Sequence, residues 1–314
     1  MNELIYTNFY NKLPNNEKYI QFIIDNYNDD NNNKLVYTKE HFKCYFSKQI
    51  CNDYELFFIE NDSQVLCSSV VIKENKVFNT SKYDYYYINF ACVHKNFRDQ
   101  GYLVSLTKEI IKKYSSIQNC ILYGLTFRER IHSELNLIKQ FQVFNVKVQE
   151  NKKKIDGSKK YILYEPFTSL SLTDFYIQKN KIGDFKNSCL IAQFPSSSKF
   201  YKYYSFLDKE TLTSNHLILY NLQLYRNNQI INNYYIVEST KLLDQFIIQK
   251  LINKLEPNSF LNVPEYLLNG IDSIKTFSCY STQECKVLLI NGKNKEEIEN
   301  LKDNFKIKIF KLFW

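Results

Sequence analysis

Two rhythms of apolar and polar residues run along this chain. Residues 85–93 are a nearly unbroken run of aromatic and β-branched side chains, which suits a pleated, half-buried strand. A short basic turn follows. Leu103, Leu106, Ile110, Ile111 and Tyr114 then recur at helical spacing, which predicts a helix over 103–115. Upstream, the pattern predicts helices at 17–27 and 39–46, then a hairpin over 54–73 that turns at Asn61-Asp62-Ser63. Downstream come a short strand at 120–125, a helix at 131–140, and a hairpin pairing 143–148 with 160–164. Glu165-Pro166 then interrupts regular structure, because the residue before proline is driven away from helix.

The second half repeats this grammar. Residues 186–194 read as a strand or short helix, and 216–225 and 230–237 as strands around Asn227-Asn228. An amphipathic helix is predicted over 241–255, with Leu242, Leu243, Phe246, Ile247, Leu251 and Ile252 on one face. Strands at 260–263 and 285–290 and a charged helix at 295–304 follow. Residues 305–314 alternate like a strand and end in Leu312-Phe313-Trp314, a tail suited to burial. The expected organisation is two α+β domains, 1–165 and 166–314, each a mixed sheet flanked by helices.

Composition narrows the class. A chain of 314 residues with 44% hydrophobic content has ample material for two cores. Only 6 Gly and 5 Pro occur beside 26 Tyr and 24 Phe, so a glycine at 101 stands out. The formal charge is +8, yet the basic residues are scattered, and Lys152–Lys154 with Lys159-Lys160 flank a predicted Asp156-Gly157 turn. A solvated turn explains them, and no nucleic-acid partner is expected; a mildly basic surface still favours an anionic ligand. The 8 cysteines stand singly with no CxxC pair, and no signal peptide or membrane-spanning run is visible, which predicts a cytoplasmic chain with reduced thiols. The 4 histidines are too widely spaced for a structural zinc site, and no metal is expected.

Chemistry concentrates between the 85–93 strand and the 103–115 helix. Arg98-x-x-Gly101 sits where a helix begins, and unpaired N–H groups with the positive end of the helix dipole suit a pyrophosphate. Arg98-Asp99-Gln100-Gly101-Tyr102-Leu103 resembles the R/Q-x-x-G-x-G/A acyl-CoA loop of GNAT acyltransferases, with Leu103 at the final small position. The run Ile88-Asn89-Phe90-Ala91-Cys92-Val93-His94-Lys95-Asn96-Phe97-Arg98 resembles the I-N-F-L-C-V-H-K-x-L-R signature of eukaryotic N-myristoyltransferases. Lys108-Glu109-Ile110 is similar to the K/R-E-I that follows it. Tyr27-Asn28-Asp29-Asp30 with Tyr37-Thr38-x-Glu40 resembles the family's acidic loop and its Y-S-P-E, and His132-x-x-Leu135-Asn136 its H-R-S-L-N.

This resemblance implies a tandem pair of GNAT-like domains, the first binding acyl-CoA and the second binding peptide. It implies transfer of a myristoyl group from myristoyl-CoA to the N-terminal glycine of a protein or peptide, by a monomer. Backbone N–H groups of Phe90 and Ala91 would meet the oxyanion, where the strand bulges. Ala91, Cys92, Val93, Arg98, Asp99, Gln100, Gly101, Tyr102 and Leu103 would hold the CoA moiety. Tyr27, Asp29, Asp30, Thr126 and His132 would contact the peptide, and the α-carboxylate of Trp314 would serve as base. The chain departs from the family's S-K-R-x-A after the arginine, losing two cations, while Gly101 restores the ordinary GNAT loop. Two other readings stay open: an acyltransferase using acetyl-CoA or another acyl-CoA, and an inactive scaffold.

Overall fold

The computed structural model describes residues 3–7, 17–27, 34–46, 53–61, 64–73, 76–78, 84–126, 136–149, 160–164, 189–190, 200–277 and 279–289. The expected helix at 295–304, the strand at 305–314 and the Lys152–Lys154 turn lie outside them. The first half opens with β1 (Glu3–Thr7), α1 (Glu17–Asn26), β2 (Lys34–Leu35) and α2 (Lys39–Tyr45). It continues through β3 (Asp53–Glu60), β4 (Val65–Lys73), β5 (Lys76–Phe78), β6 (Asp84–Val93), α3 (Tyr102–Ser115), β7 (Cys120–Thr126) and β8 (Asn136–Lys147). Then follow β9 (Tyr161–Tyr164), β10 (Cys189–Leu190), β11 (Tyr201–Asp208), β12 (Thr213–Asn221), β13 (Leu224–Arg226), β14 (Gln229–Ile231) and β15 (Asn233–Ser239). The last described elements are α4 (Gln245–Lys254), β16 (Phe260–Pro264), α5 (Asp272–Lys275) and β17 (Cys279–Leu289). None of these helices is long and apolar enough to cross a membrane.

Among the described residues, 12 strands form one sheet in the order β1-β3-β4-β6-β7-β17-β8-β16-β15-β12-β11-β9. Two of its neighbouring pairs are parallel, β6 with β7 and β15 with β16, and each is joined through a helix, α3 or α4. The next strand in each half crosses over. β8 leaves the first half to pair with β16, and β17 leaves the second to pair with β7. β8 and β17 then pair with each other at the middle, so the two α+β halves share one sheet across residue 165.

The sheet has two covered faces. On one, α3 buries Leu106, Ile110 and Tyr114 against Phe57, Leu66 and Leu122. On the same side of the second half, α4 buries Ile247, Ile248, Leu251 and Ile252 against Tyr204, Leu219, Tyr234 and Ile236. The other face carries a core common to both halves, where α1 and α2 residues join Tyr87, Phe90, Tyr123, Tyr201, Tyr220 and Tyr235. Thr38 caps α2 through its hydroxyl, and His41 Nδ1 accepts the Thr38 N–H in return. The His41 ring then lies 3.9 Å from that of Phe200, tying α2 to the second half.

Two expectations are overturned. Residues 136–140, expected in a helix, belong to β8, because Phe141 and Val143 alternate with Gln140 and Gln142 and both edges of the strand find partners. The expected 143–148/160–164 hairpin is absent: with β17 and β16 on its two edges, β8 has no edge left, and β9 pairs with β11 instead. The 216–225 and 230–237 runs each divide in two. Asn227 and Asn228, at φ 48° and 60°, make the tight turn between β13 and β14.

One ion pair anchors the corner where β11 ends. Lys241 Nζ lies 2.8 Å from Asp208 Oδ2, while the Glu210 and Thr211 N–H groups donate to Asp208 Oδ1. The Lys241 contact holds the Asp208 carboxyl down to about 2. Because that value lies below the unfolded carboxyl at about 4, the stabilisation is complete above pH about 4 and is lost as the pH falls towards 2. Wild-type Tm should therefore fall more steeply than that of Asp208→Asn across this window in circular-dichroism melts. Parallel curves would remove Asp208 from the acid response.

Candidate functional site

The expected bulge lies near the end of β6. Ser68 pairs with Cys92 and Val70 with Asn89, so Phe90 and Ala91 together oppose Ser69. Phe90 adopts φ 50°, a left-handed conformation that costs a bulky residue about 1–2 kcal/mol. Its ring is 2% exposed and meets Tyr27, Tyr37, Phe42 and Tyr45 with centroids at 5.3, 5.7, 5.0 and 5.3 Å. Such edge contacts contribute about 0.5–1.5 kcal/mol each, so four of them outweigh the strain.

Asn89 braces the same corner from inside. Its Oδ1 accepts the Phe90 N–H at 2.8 Å, its Nδ2 donates to the Tyr45 hydroxyl, and its carbonyl accepts from Ser69 Oγ. The Phe90 N–H, one of the two expected oxyanion donors, is thus held by Asn89. Ala91 is exposed on the outer side of the bulge.

Beside the bulge the sheet opens. β6 pairs with β7 from Asp84↔Cys120 as far as Ile88↔Gly124, whereas β7 follows β17 on to Thr126↔Lys286. Thr126 therefore stands at the β7 rim of an opening whose other rim is the Phe90–Ala91 bulge. Parallel strands that separate where their connecting helix begins leave a slot for an extended ligand.

The turn above the slot is built from backbone. The His94 N–H donates to the Leu66 carbonyl, and His94 Nδ1 accepts the Asn96 N–H, fixing a single 3-10 turn over Lys95–Phe97. Arg98, Asp99, Gln100 and Gly101 are all exposed, with Asp99 at φ 62° and Gly101 at φ 79°. Gly101 is the N-cap of α3, takes no side-chain cap, and has no atom within 4 Å of where a Cβ would stand. The helical ladder of α3 begins with the Ser105 N–H donating to the Gly101 carbonyl, and the positive end of the helix dipole at this N-terminus suits an anion. Arg98 adds a full charge.

Cys92, next along the strand, is a poor nucleophile. Burial pushes its thiol up to about 12, and Sγ lies 3.4 Å from Ser68 Oγ. Val93 and Tyr27 are half-buried beside the site. Asp29, Asp30, His132 and Trp314 lie outside the described residues. The structure thus brings together Phe90, Ala91, Tyr27 and the 98–103 turn, and adds Asn89 and Tyr45, which sequence reasoning passed over. Asn89 did leave a signal, as a lone amide in an otherwise aromatic strand.

No family model matches the chain, and no curated protein matches it by sequence. Solved structures do. Saccharomyces cerevisiae N-myristoyltransferase with bound myristoyl-CoA superposes with TM-score 0.66 at 11% identity, over 93% of this chain and 83% of that one. An Enterococcus faecalis protein described as a probable N-acyltransferase gives 0.56 at 9% identity, over 92% and 72%. A GCN5-related N-acetyltransferase from Anabaena variabilis gives 0.54 at 12% identity, over 92% and 73%. The chain has the tandem α+β fold of these proteins.

Asn89→Leu keeps the side-chain volume and leaves the Phe90 N–H without its acceptor. Unfolding free energy in urea should fall by about 1–3 kcal/mol. An unchanged midpoint would show that the bulge stands without the amide.

Proposed function

We propose that this chain is an acyl-CoA N-acyltransferase that moves a myristoyl group onto the N-terminal glycine of a protein or peptide. One observation carries the reading. A strained bulge at Phe90–Ala91, where β6 parts from β7, is followed along the chain by an exposed turn at Arg98–Gly101 that opens α3. The spacing of the two features along one chain segment suits a thioester carbonyl at one end and CoA phosphates at the other. Resemblance of the Ile88–Arg98 run to the myristoyltransferase signature supplies the acyl chain and the glycine acceptor.

In this reading the α3 N-terminus and Arg98 hold the phosphates, and β6 residues 91–93 hold the pantetheine arm along the slot. The acceptor amine attacks the thioester carbon from the side of Tyr27 and Thr126. The Ala91 N–H, joined by that of Phe90 when Asn89 releases it, donates to the oxyanion as it forms. Attack forms the C–N bond and the tetrahedral oxyanion, and its collapse re-forms the carbonyl, breaks the C–S bond and frees the CoA thiolate. The amine's proton passes to a base, assigned by resemblance to the α-carboxylate of Trp314. Transfer is direct, because Cys92 remains a thiol. A cytoplasmic monomer is part of the proposal, in keeping with the free thiols of Cys44, Cys67, Cys92, Cys120 and Cys285.

A second reading takes acetyl-CoA as the donor. The open, left-handed Gly101 favours it, since that geometry belongs to a short glycine loop. Calorimetric titration separates the two. Myristoyl-CoA is expected to bind tightly, acetyl-CoA weakly, and an Arg98→Ala, Gly101→Trp variant at least tenfold more weakly than wild type. Acetyl-CoA binding alone would favour the second reading, and binding of neither would leave only a scaffold. Cys92→Ala should keep acyl transfer within about threefold, and loss of turnover with binding intact would restore an acyl-enzyme.

A further inference from the structure

Basic residues that look scattered in the sequence come together on the outer side of α3. The helix buries Leu106, Ile110 and Tyr114. Val104, Lys108 and Lys112 each stand two positions before one of these, about 200° round the helix. This row therefore points straight away from the sheet, and it is exposed along its whole length of about 12 Å. Lys95 and Arg98 are exposed on the turn that leads into it. The exposed charges of the stretch from His94 to Asn119 are Lys95, Arg98, Lys108 and Lys112 against one acid, Asp99.

The lysines of this face do not answer the protein's own carboxylates. Lys113, one position further round, pairs with Glu55 at 2.6 Å, and Glu109 is half-buried. Among the described residues, Lys95, Lys108 and Lys112 make no ion pair. A lysine is a hydrated point charge on a flexible stem, without the fixed fork of arginine, so it suits a diffuse negative surface better than one bidentate anion. A straight, outward row suits a flat partner. Val104, 48% exposed at the start of the row, adds an apolar contact to the charges.

We infer that the outer face of α3 docks on an anionic lipid surface. Each lysine brought close to such a surface raises partition about fivefold, so the contact is weak, reversible and sensitive to salt. The docking itself needs nothing from the acyl-transfer reading. Its use rests on that reading: the row begins one turn from Gly101, and a long-chain acyl-CoA is an amphiphile whose tail partitions into lipid. A chain resting on a bilayer by this face meets such a donor where it accumulates.

The full chain, free of acyl-CoA, is sedimented with vesicles of phosphatidylcholine alone or with about 30% phosphatidylserine. Wild type should sediment with the anionic vesicles alone and be released at about 0.3 M salt. Lys108→Gln with Lys112→Gln should bind them at least tenfold more weakly. Lys43→Gln with Lys209→Gln makes the same change of charge at two exposed lysines away from α3, and should bind like wild type. Melting curves check both folds, and coenzyme A titrations should give all three proteins one affinity. Equal loss in the two variants would overturn the inference by reducing it to net charge. Wild-type binding to neither vesicle, or to both alike, would also overturn it, as would tighter binding to polyuridylate than to the anionic vesicles. A parallel fall in coenzyme A affinity in the α3 variant would overturn it too, by giving the lysines to the coenzyme. Failure of the parent reading shows separately, as vesicle binding without acyl-CoA binding.

Discussion

The left-handed Phe90 is the constraint around which the first half is arranged. A phenylalanine at φ 50° persists only if its surroundings over-determine it. Here the surroundings are aromatic rings from the end of α1, from α2 and from the segment between them, so both helices are placed by what the bulge requires. Asn89 completes the arrangement by satisfying the amide that the bulge takes out of the ladder. Strain at one residue is thereby spread over packing at five.

The exchange of β8 and β17 gives that corner its rigidity. If each half closed on its own strand, the opening between β6 and β7 would be bounded by a small sheet free to shift against its neighbour. Instead β17 holds β7 from the far side, and β8 carries the contact into the second half. The core that encloses Phe90 contains Tyr201, Tyr220 and Tyr235 from the second half, so both halves set the shape of one site.

Much of this was legible in the chain because it is local. The 53–73 hairpin, β6, α3, β7 and α4 follow from period and capping within a dozen residues. Asn227-Asn228 announces its turn by residue type alone. What was not legible is non-local. The pattern of 131–140 admits a helix, and only the two partner strands decide that 136–147 is extended. The same pairing removes the hairpin that 143–148 and 160–164 seemed to form by proximity. At the site, Phe90 and Gly101 could be read from the signature, but the hold of Asn89 on the Phe90 amide could not, because it depends on a backbone bend. The hydrogen bonds from Asn145 to Asn262 and from Asn262 to Asn233 were equally hidden, since the three residues lie on strands far apart in sequence.

Both parts of the candidate site rest on backbone rather than on side-chain chemistry. The bulge needs one residue that packs well enough to hold positive φ, and Phe90 does. At the other part, the start of α3 is opened by one position where a left-handed turn is cheap, which Gly101 provides. The direction of the backbone there is fixed by α3 itself. The side chains that hold this backbone in shape are those of Asn89, Phe90 and His94, with Gly101 supplying the turn.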